Sequence, residues 1–110
     1  WYSPAVMAQR PSVRIKRMSD EAVDVTRIAE PVIFANENRV DVHYTIIVRD
    51  KASGTTEQFS ETHPMRHFSL PEIDFLSGWF GFERIGAEEF LTGKTPGEET
   101  WGVCLILRRL

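Results

Sequence analysis

The sequence is poor in cysteine, has no surplus of positive charge and contains no long apolar run. A lone cysteine, Cys104, cannot close an internal disulfide. Its place in the apolar run VCLIL marks it as a small buried hydrophobe, and a reducing, cytoplasmic setting is the expectation. Lys and Arg number 13 against 16 Asp and Glu, a formal charge of −3 with the two signs intermingled. That balance argues against a nucleic-acid partner, whose affinity would come from a basic face on phosphates. The one basic cluster, RPSVRIKR from Arg10 to Arg17, alternates along a strand and reads as a solvated face. No apolar stretch approaches the roughly 18 residues that span a bilayer, so no membrane partner is expected. The opening WYSPAVMAQR lacks the apolar core of a signal peptide, and it also lacks an initiator methionine, which suggests a piece of a longer chain.

What is present, 42% hydrophobic and 11% aromatic residues in a chain of 110, can bury one modest core. The expectation is a single unit over residues 1–110, with an entry segment and antiparallel sheet over 1–66 and a helix with two strands over 67–110. Pro4 and Pro11 bracket an irregular entry or a short helix from Ala5. Ser12 to Met18 alternates as a half-exposed strand. DEAVDVTRIAEPVIFA is interrupted at Pro31, which predicts two short strands or one bent strand at a sheet edge. Arg39 to Val48 is the clearest strand, with Val40, Val42, Tyr44, Ile46 and Val48 on one face and Asp41, His43, Thr45 and Ile47 on the other. A turn at RDKASG returns TTEQFSETHPMRHF as its partner, and a tight closure would set His43 opposite Glu61 and Asp41 opposite His63.

Ser69 followed three residues later by Glu72 is a capping box, and Pro71 fits the first helical turn. Ile73, Leu76, Trp79 and Phe80 then recur at helical spacing, predicting a helix from about Leu70 to Phe80 with that face packed on a sheet. Gly81 suits a left-handed stop. FERIGAEEF and TWGVCLILRR follow as strands, the second apolar on both faces as a covered central strand would be.

Glu61, His63, Arg66 and His43 are the candidate ligand contacts. A guanidinium such as Arg66 can grip a carboxylate or phosphate bidentately, and the His/Glu/Asp group lies on adjacent strands. Their spacing matches no zinc pattern, so no metal is assigned. No nucleophile with its base is legible, and the glycines of GWFGFERIG follow a helix and do not link a strand to one. The aromatic residues Trp1, Tyr2, Trp79 and Trp101 read as core or interface. The residues alone give an α+β domain with an antiparallel sheet, a helix and a polar patch.

The order of these elements resembles the C-terminal part of class I S-adenosylmethionine-dependent methyltransferases, above all the small-molecule and nucleotide-sugar N-methyltransferases that insert an antiparallel sheet into a Rossmann-like core. The resemblance rests on Glu61, His63, Arg66, Phe68, Ser69, Glu72, Ile73, Leu76, Gly81, Phe82, Trp101 and Gly102, with Trp1 to Pro4 as the lead into the insert. It implies a lid-like sheet shaping the acceptor pocket and a dimer surface, followed by the last helix and strand pair of the core. Arg66 and His63 would orient a small-molecule acceptor, Glu61 would steady one of them, and His67 to Gly81 would be structural. S-adenosylmethionine would be held by an N-terminal Rossmann-like portion, since the G-x-G loop and ribose-binding acid are not found between Trp1 and Leu110. The chain alone would then be inactive and prone to self-association. The other reading is a stand-alone, non-catalytic sheet that binds a ligand or a copy of itself.

Overall fold

The computed structural model describes Trp1–Leu110, an α+β chain with antiparallel sheets. In order it forms α1 (Ser3–Gln9), β1 (Arg14–Ser19), β2 (Val23–Phe34), β3 (Arg39–Asp50), β4 (Thr56–Arg66), α2 (Leu70–Trp79), β5 (Phe82–Glu89) and β6 (Val103–Arg109). Two compact units result, Pro11–Met65 and a second made of Trp1–Arg10 with Arg66–Leu110.

The first unit is a meander in the order β1-β2-β3-β4. Its turns are closed by side chains that take up loose amides: the Asp20 carboxylate accepts from Ala22 and Val23 N–H, both at 2.8 Å, and Asp50 does the same for Ala52 and Ser53 at 2.9 Å. These bonds to the charged form hold both carboxyls below the usual aspartate range. The register of β2 on β3 sets Val25 opposite Val48, Arg27 opposite Ile46, Ala29 opposite Tyr44 and Ile33 opposite Val40. One face is therefore mostly apolar, and its deepest residues are Val40 and Val42, 0% and 4% exposed.

Two expectations change here. Pro31 neither breaks β2 nor bends it to the outside of the sheet: β2 runs unbroken through it with Pro31 opposite Val42. The reason is that β1 ends at Arg14, opposite Ala29, so beyond that point β2 has no neighbour on that side and a residue without N–H costs no ladder bond there. The hairpin of β3 and β4 is also offset by one residue. Asp50 N–H donates to Thr55 O at 2.9 Å and His43 Nδ1 lies 2.8 Å from Thr62 Oγ1, so His43 meets Thr62, not Glu61. A slip of one moves each side chain of β4 to the other face.

In the second unit the chain start is tied down by backbone bonds. Tyr2 N–H donates to Trp101 O at 3.0 Å, Ser3 N–H to Phe68 O at 2.8 Å, and Phe68 N–H to Trp1 O at 2.9 Å. The entry segment takes the second of its two expected forms, a short helix, which starts at Ser3 and not at Ala5. The capping box of α2 forms as the sequence implies: Ser69 Oγ accepts from Glu72 N–H and Glu72 Oε1 accepts from Ser69 N–H. Gly81, at φ 76°, supplies the left-handed residue just past the helix.

The buried face of α2 differs from the spacing argument. Ser77 is buried and Ile73 half-buried, whereas Phe75, Leu76, Trp79 and Phe80 are 67%, 42%, 75% and 78% exposed. The helix is fixed to β5 through its polar side, where Arg84 donates to both Asp74 oxygens at 2.7 and 2.9 Å. A helix with apolar residues on more than one side has no unique buried stripe, and here the ion pair and the small Ser77 choose it. β5 and β6 pair only with each other, with an irregularity at Arg84/Gly86, where a Cβ on Gly86 would come within 3.3 Å of Ile106. β6 thus keeps one edge unpaired, and Cys104 within it is half-buried.

Candidate functional site

The offset hairpin regroups the candidate residues. Glu61 and His63 fall on the same face as Tyr44 and Val42, since His63 packs edge-on against the Tyr44 ring at 5.1 Å and 88°. His63 Nε2 is 2.9 Å from Glu61 Oε2, with both side chains about half exposed. Behind them the Arg27 guanidinium lies over the Tyr44 ring at 5.4 Å. A row of guanidinium, phenol, imidazole and carboxylate therefore crosses three strands, on the face where β3 presents Val40, Val42, Ile46 and Val48 beside Tyr44. His43 sits on the other face with Thr62, where Arg39 pairs with Asp41 at 2.8 Å. No group of three or more His, Cys, Asp or Glu converges as metal ligands would.

Arg27 and Tyr44 were not singled out from the sequence. The signal available was the alternation of β3, which places Tyr44 among the inward valines, together with a register that only the turn geometry fixes.

Arg66 belongs to the second unit, in a cavity of about 390 Å³ lined by Phe68, Pro71, Glu72, Phe75 and Leu76. Its guanidinium lies 4.9 Å from the Phe68 ring centre and makes no ion pair, which leaves its fork open to an oxyanion. A second cavity of about 290 Å³ is walled by Trp1, Tyr2, Phe68, Ile73, Trp101 and Leu105, with Trp1 and Trp101 edge to face at 5.3 Å. Beside this cluster His67 is 3% exposed, its Nδ1 2.7 Å from Ser3 Oγ. Burial, seconded by the Trp1 ammonium, pushes its pKa below the ordinary histidine value, against a smaller opposing pull from Glu72.

None of the left-handed glycines, Gly54, Gly81 and Gly93, lies in a turn from a strand into a helix. The residues present therefore do not form the glycine-rich turn that S-adenosylmethionine would require, and no step involving that cofactor is derived from them.

No protein-family model matches the sequence, and no curated protein sequence matches it. Solved structures do share its fold. An S-adenosylmethionine-dependent methyltransferase from Clostridium acetobutylicum superposes with a TM-score of 0.72 over 96% of this chain, at 14% identity. CalS10, an amino pentose methyltransferase of calicheamicin biosynthesis from Micromonospora echinaspora, solved with S-adenosylmethionine bound, gives 0.58 over 74% at 22% identity. The sugar N-methyltransferase KedS8 from a Streptoalloteichus species gives 0.62 over 91% at 14% identity. The chain spans 41%, 33% and 36% of those three proteins respectively. It has the fold of one part of S-adenosylmethionine-dependent methyltransferases, sugar N-methyltransferases among them.

Proposed function

We propose that this chain is the substrate-side sheet and C-terminal portion of an S-adenosylmethionine-dependent methyltransferase that modifies a small molecule. The observation that carries the reading is the Glu61–His63 pair held against Tyr44, in a chain with the fold of part of such enzymes. Methyl transfer asks the protein chiefly to orient the acceptor and keep water out, which a sheet acting as a lid can do without a strong acid or base. With Nε2 engaged by Glu61, His63 offers Nδ1 to an acceptor hydroxyl or amine. Arg66, in the other unit, is proposed separately as a contact for an anionic group. His43, on the opposite face, is given a part at the outer surface of the pocket or in a dimer contact.

In this reading the cofactor is bound by a Rossmann-like N-terminal portion of the same enzyme. Exposed Phe75, Trp79 and Phe80 and the unpaired edge of β6 support such a neighbour, because apolar surface and free strand edges of this kind are ordinarily covered. No helix is long and apolar enough to cross a membrane, and we place the enzyme in the cytoplasm as an oligomer.

The test has two arms. In the complete enzyme, His63→Ala and Arg66→Ala should raise the KM for acceptor while leaving cofactor affinity in place; unchanged turnover at low acceptor would remove these residues from the site. The 110-residue chain alone should show no appreciable S-adenosylmethionine binding by calorimetry and should self-associate in light scattering. Micromolar cofactor binding by a clean monomer would instead make it a complete small protein, and ligand or self-binding without any methyl transfer by the complete protein would favour a non-catalytic module.

A further inference from the structure

The apolar residues of α2 fall on two sides of the helix. Ile73 and Ser77 point inward, half-buried and buried, and Leu76 and Phe80 flank them. At roughly 100° per residue, Pro71, Phe75 and Trp79 form a row on the side turned away from those two. Phe75 and Trp79 are both largely exposed, with their rings edge to face at 6.2 Å. A neighbour that continues the sheet past the free edge of β6 extends the layer on which α2 lies, and this row points away from that layer. The row begins at the cavity of about 390 Å³ bounded by Arg66, Phe68, Pro71 and Phe75. One side of the helix therefore carries a hole at its start and a protruding indole two turns further on.

We propose that this side of α2 is a two-fold contact with a second copy of the chain, the two α2 helices packing antiparallel. A two-fold axis at Phe75 sets each Phe75 against its symmetry mate and Trp79 of each copy beside Pro71 of the other, so that each indole enters the other copy's cavity. The occupant is a second copy because knob and hole belong to the same chain and lie at the spacing that such an axis needs. The Arg66 guanidinium, 4.9 Å from the Phe68 ring centre, is then flanked by an aromatic ring on each face. Stacking of this kind uses the faces of the guanidinium and leaves its N–H edge free, so the anionic contact proposed for Arg66 is retained. The charged residues lining the cavity, Arg66 and Glu72, are opposite in sign, and Asp74 and Arg84 are already paired, so the contact buries no like-charge pair. With aromatic side chains burying about 150–250 Å² each, the two copies together remove on the order of 1,000 Å² from water. That is the small end of specific interfaces, and the dimer dissociates on dilution.

Sedimentation equilibrium of the 110-residue chain should show a reversible monomer–dimer equilibrium. Phe75→Asp and Trp79→Asp should each raise the dissociation constant at least about tenfold, while Ile15→Asp, at an exposed apolar residue of the other unit, should leave it within about twofold. Amide shifts followed on dilution should concentrate at Phe68, Glu72 and Phe75 and at the Trp79 indole N–H. In dilute solution, where the monomer prevails, both Asp variants should remain folded, since they replace exposed rings. A parent that is monomeric at every concentration would give this side of α2 to another part of the enzyme, and shifts confined to β6 would assign the association to the strand edge; either result overturns the proposal. So would a Trp79→Asp chain that no longer folds, because the ring would then belong to the monomer's own core. None of these readouts involves methyl transfer, so their failure would leave the methyltransferase reading standing, and a dimer through α2 would survive the failure of that reading.

Discussion

Within Pro11–Met65 every strand pairs with the strand next to it in sequence, whereas the unit made of Trp1–Arg10 and Arg66–Leu110 adds to its β5–β6 pair contacts that join the first residues of the chain to His67, Phe68 and Trp101. The first unit is held by ladder bonds, turn carboxylates and two buried valines. The second is held by the β5–β6 ladder, the buried Ala5 and Val6 of α1, three backbone bonds around Trp1, Tyr2, Phe68 and Trp101, one buried Ser3–His67 bond and the Arg84–Asp74 pair. The lesson is that the meander buries its deepest residues in one central strand, while the discontinuous unit buries Ala5 and Val6 of its short entry helix and ties that helix to distant residues by polar bonds. Mutations should expose that difference.

The largest effect is expected at the centre of the meander. Val40→Asp would place an unpaired charge at a fully buried position and should cost about 4 kcal/mol or more, enough to unfold the sheet. Phe59→Asp, on the exposed edge strand β4, should stay within about 1 kcal/mol. Urea denaturation of the two variants side by side measures the contrast, and similar midpoints would mean that burial is not concentrated in β3.

Next in size is the buried polar tie of the second unit. Ser3→Ala leaves His67 Nδ1 without its partner and should cost about 2 kcal/mol. The same site sets a pH dependence. Because burial lowers the pKa of His67 in the folded chain, the neutral ring is the folded form; its stability contribution is complete above the ordinary value of 6.5 and is lost as pH falls below it. Melting curves between pH 8 and 5 should show that decline in the parent and a weaker one in His67→Gln. A slope unchanged by the substitution would assign the effect elsewhere.

The smaller effects reverse an expectation taken from helical spacing. Ser69→Ala removes a cap with both halves of its box in place and should cost about 1 kcal/mol. Trp79→Ala removes a ring that is 75% exposed and touches Phe75 edge to face at 6.2 Å, so in this chain it should cost less than about 0.5 kcal/mol. If the tryptophan proves the costlier loss, its surface is covered in solution, by another copy or by more of the enzyme. The comparison is therefore also a test of what α2 packs against.

The sequence alone determined the features that depend on neighbours along the chain. The long strand at Arg39, the Asp-closed turn before β4, the capping box at Ser69 and the left-handed Gly81 follow from residues within a few positions of one another, where backbone sterics and a single side-chain bond decide the outcome. The order of elements was also enough to raise the resemblance to methyltransferases that the shared fold supports. Only the tertiary structure decided the rest. A one-residue offset in the hairpin moved Glu61 and His63 to the Tyr44 face and left His43 on the other, because alternation has a period of two and local propensity is blind to register. The same holds for the buried side of α2, chosen by a pairing of Asp74 with Arg84 on the next strand, and for the stacking of Arg27 on Tyr44 across two strands. Each depends on groups far apart in sequence, whose meeting is fixed by the pairing of whole elements and not by the residues beside them.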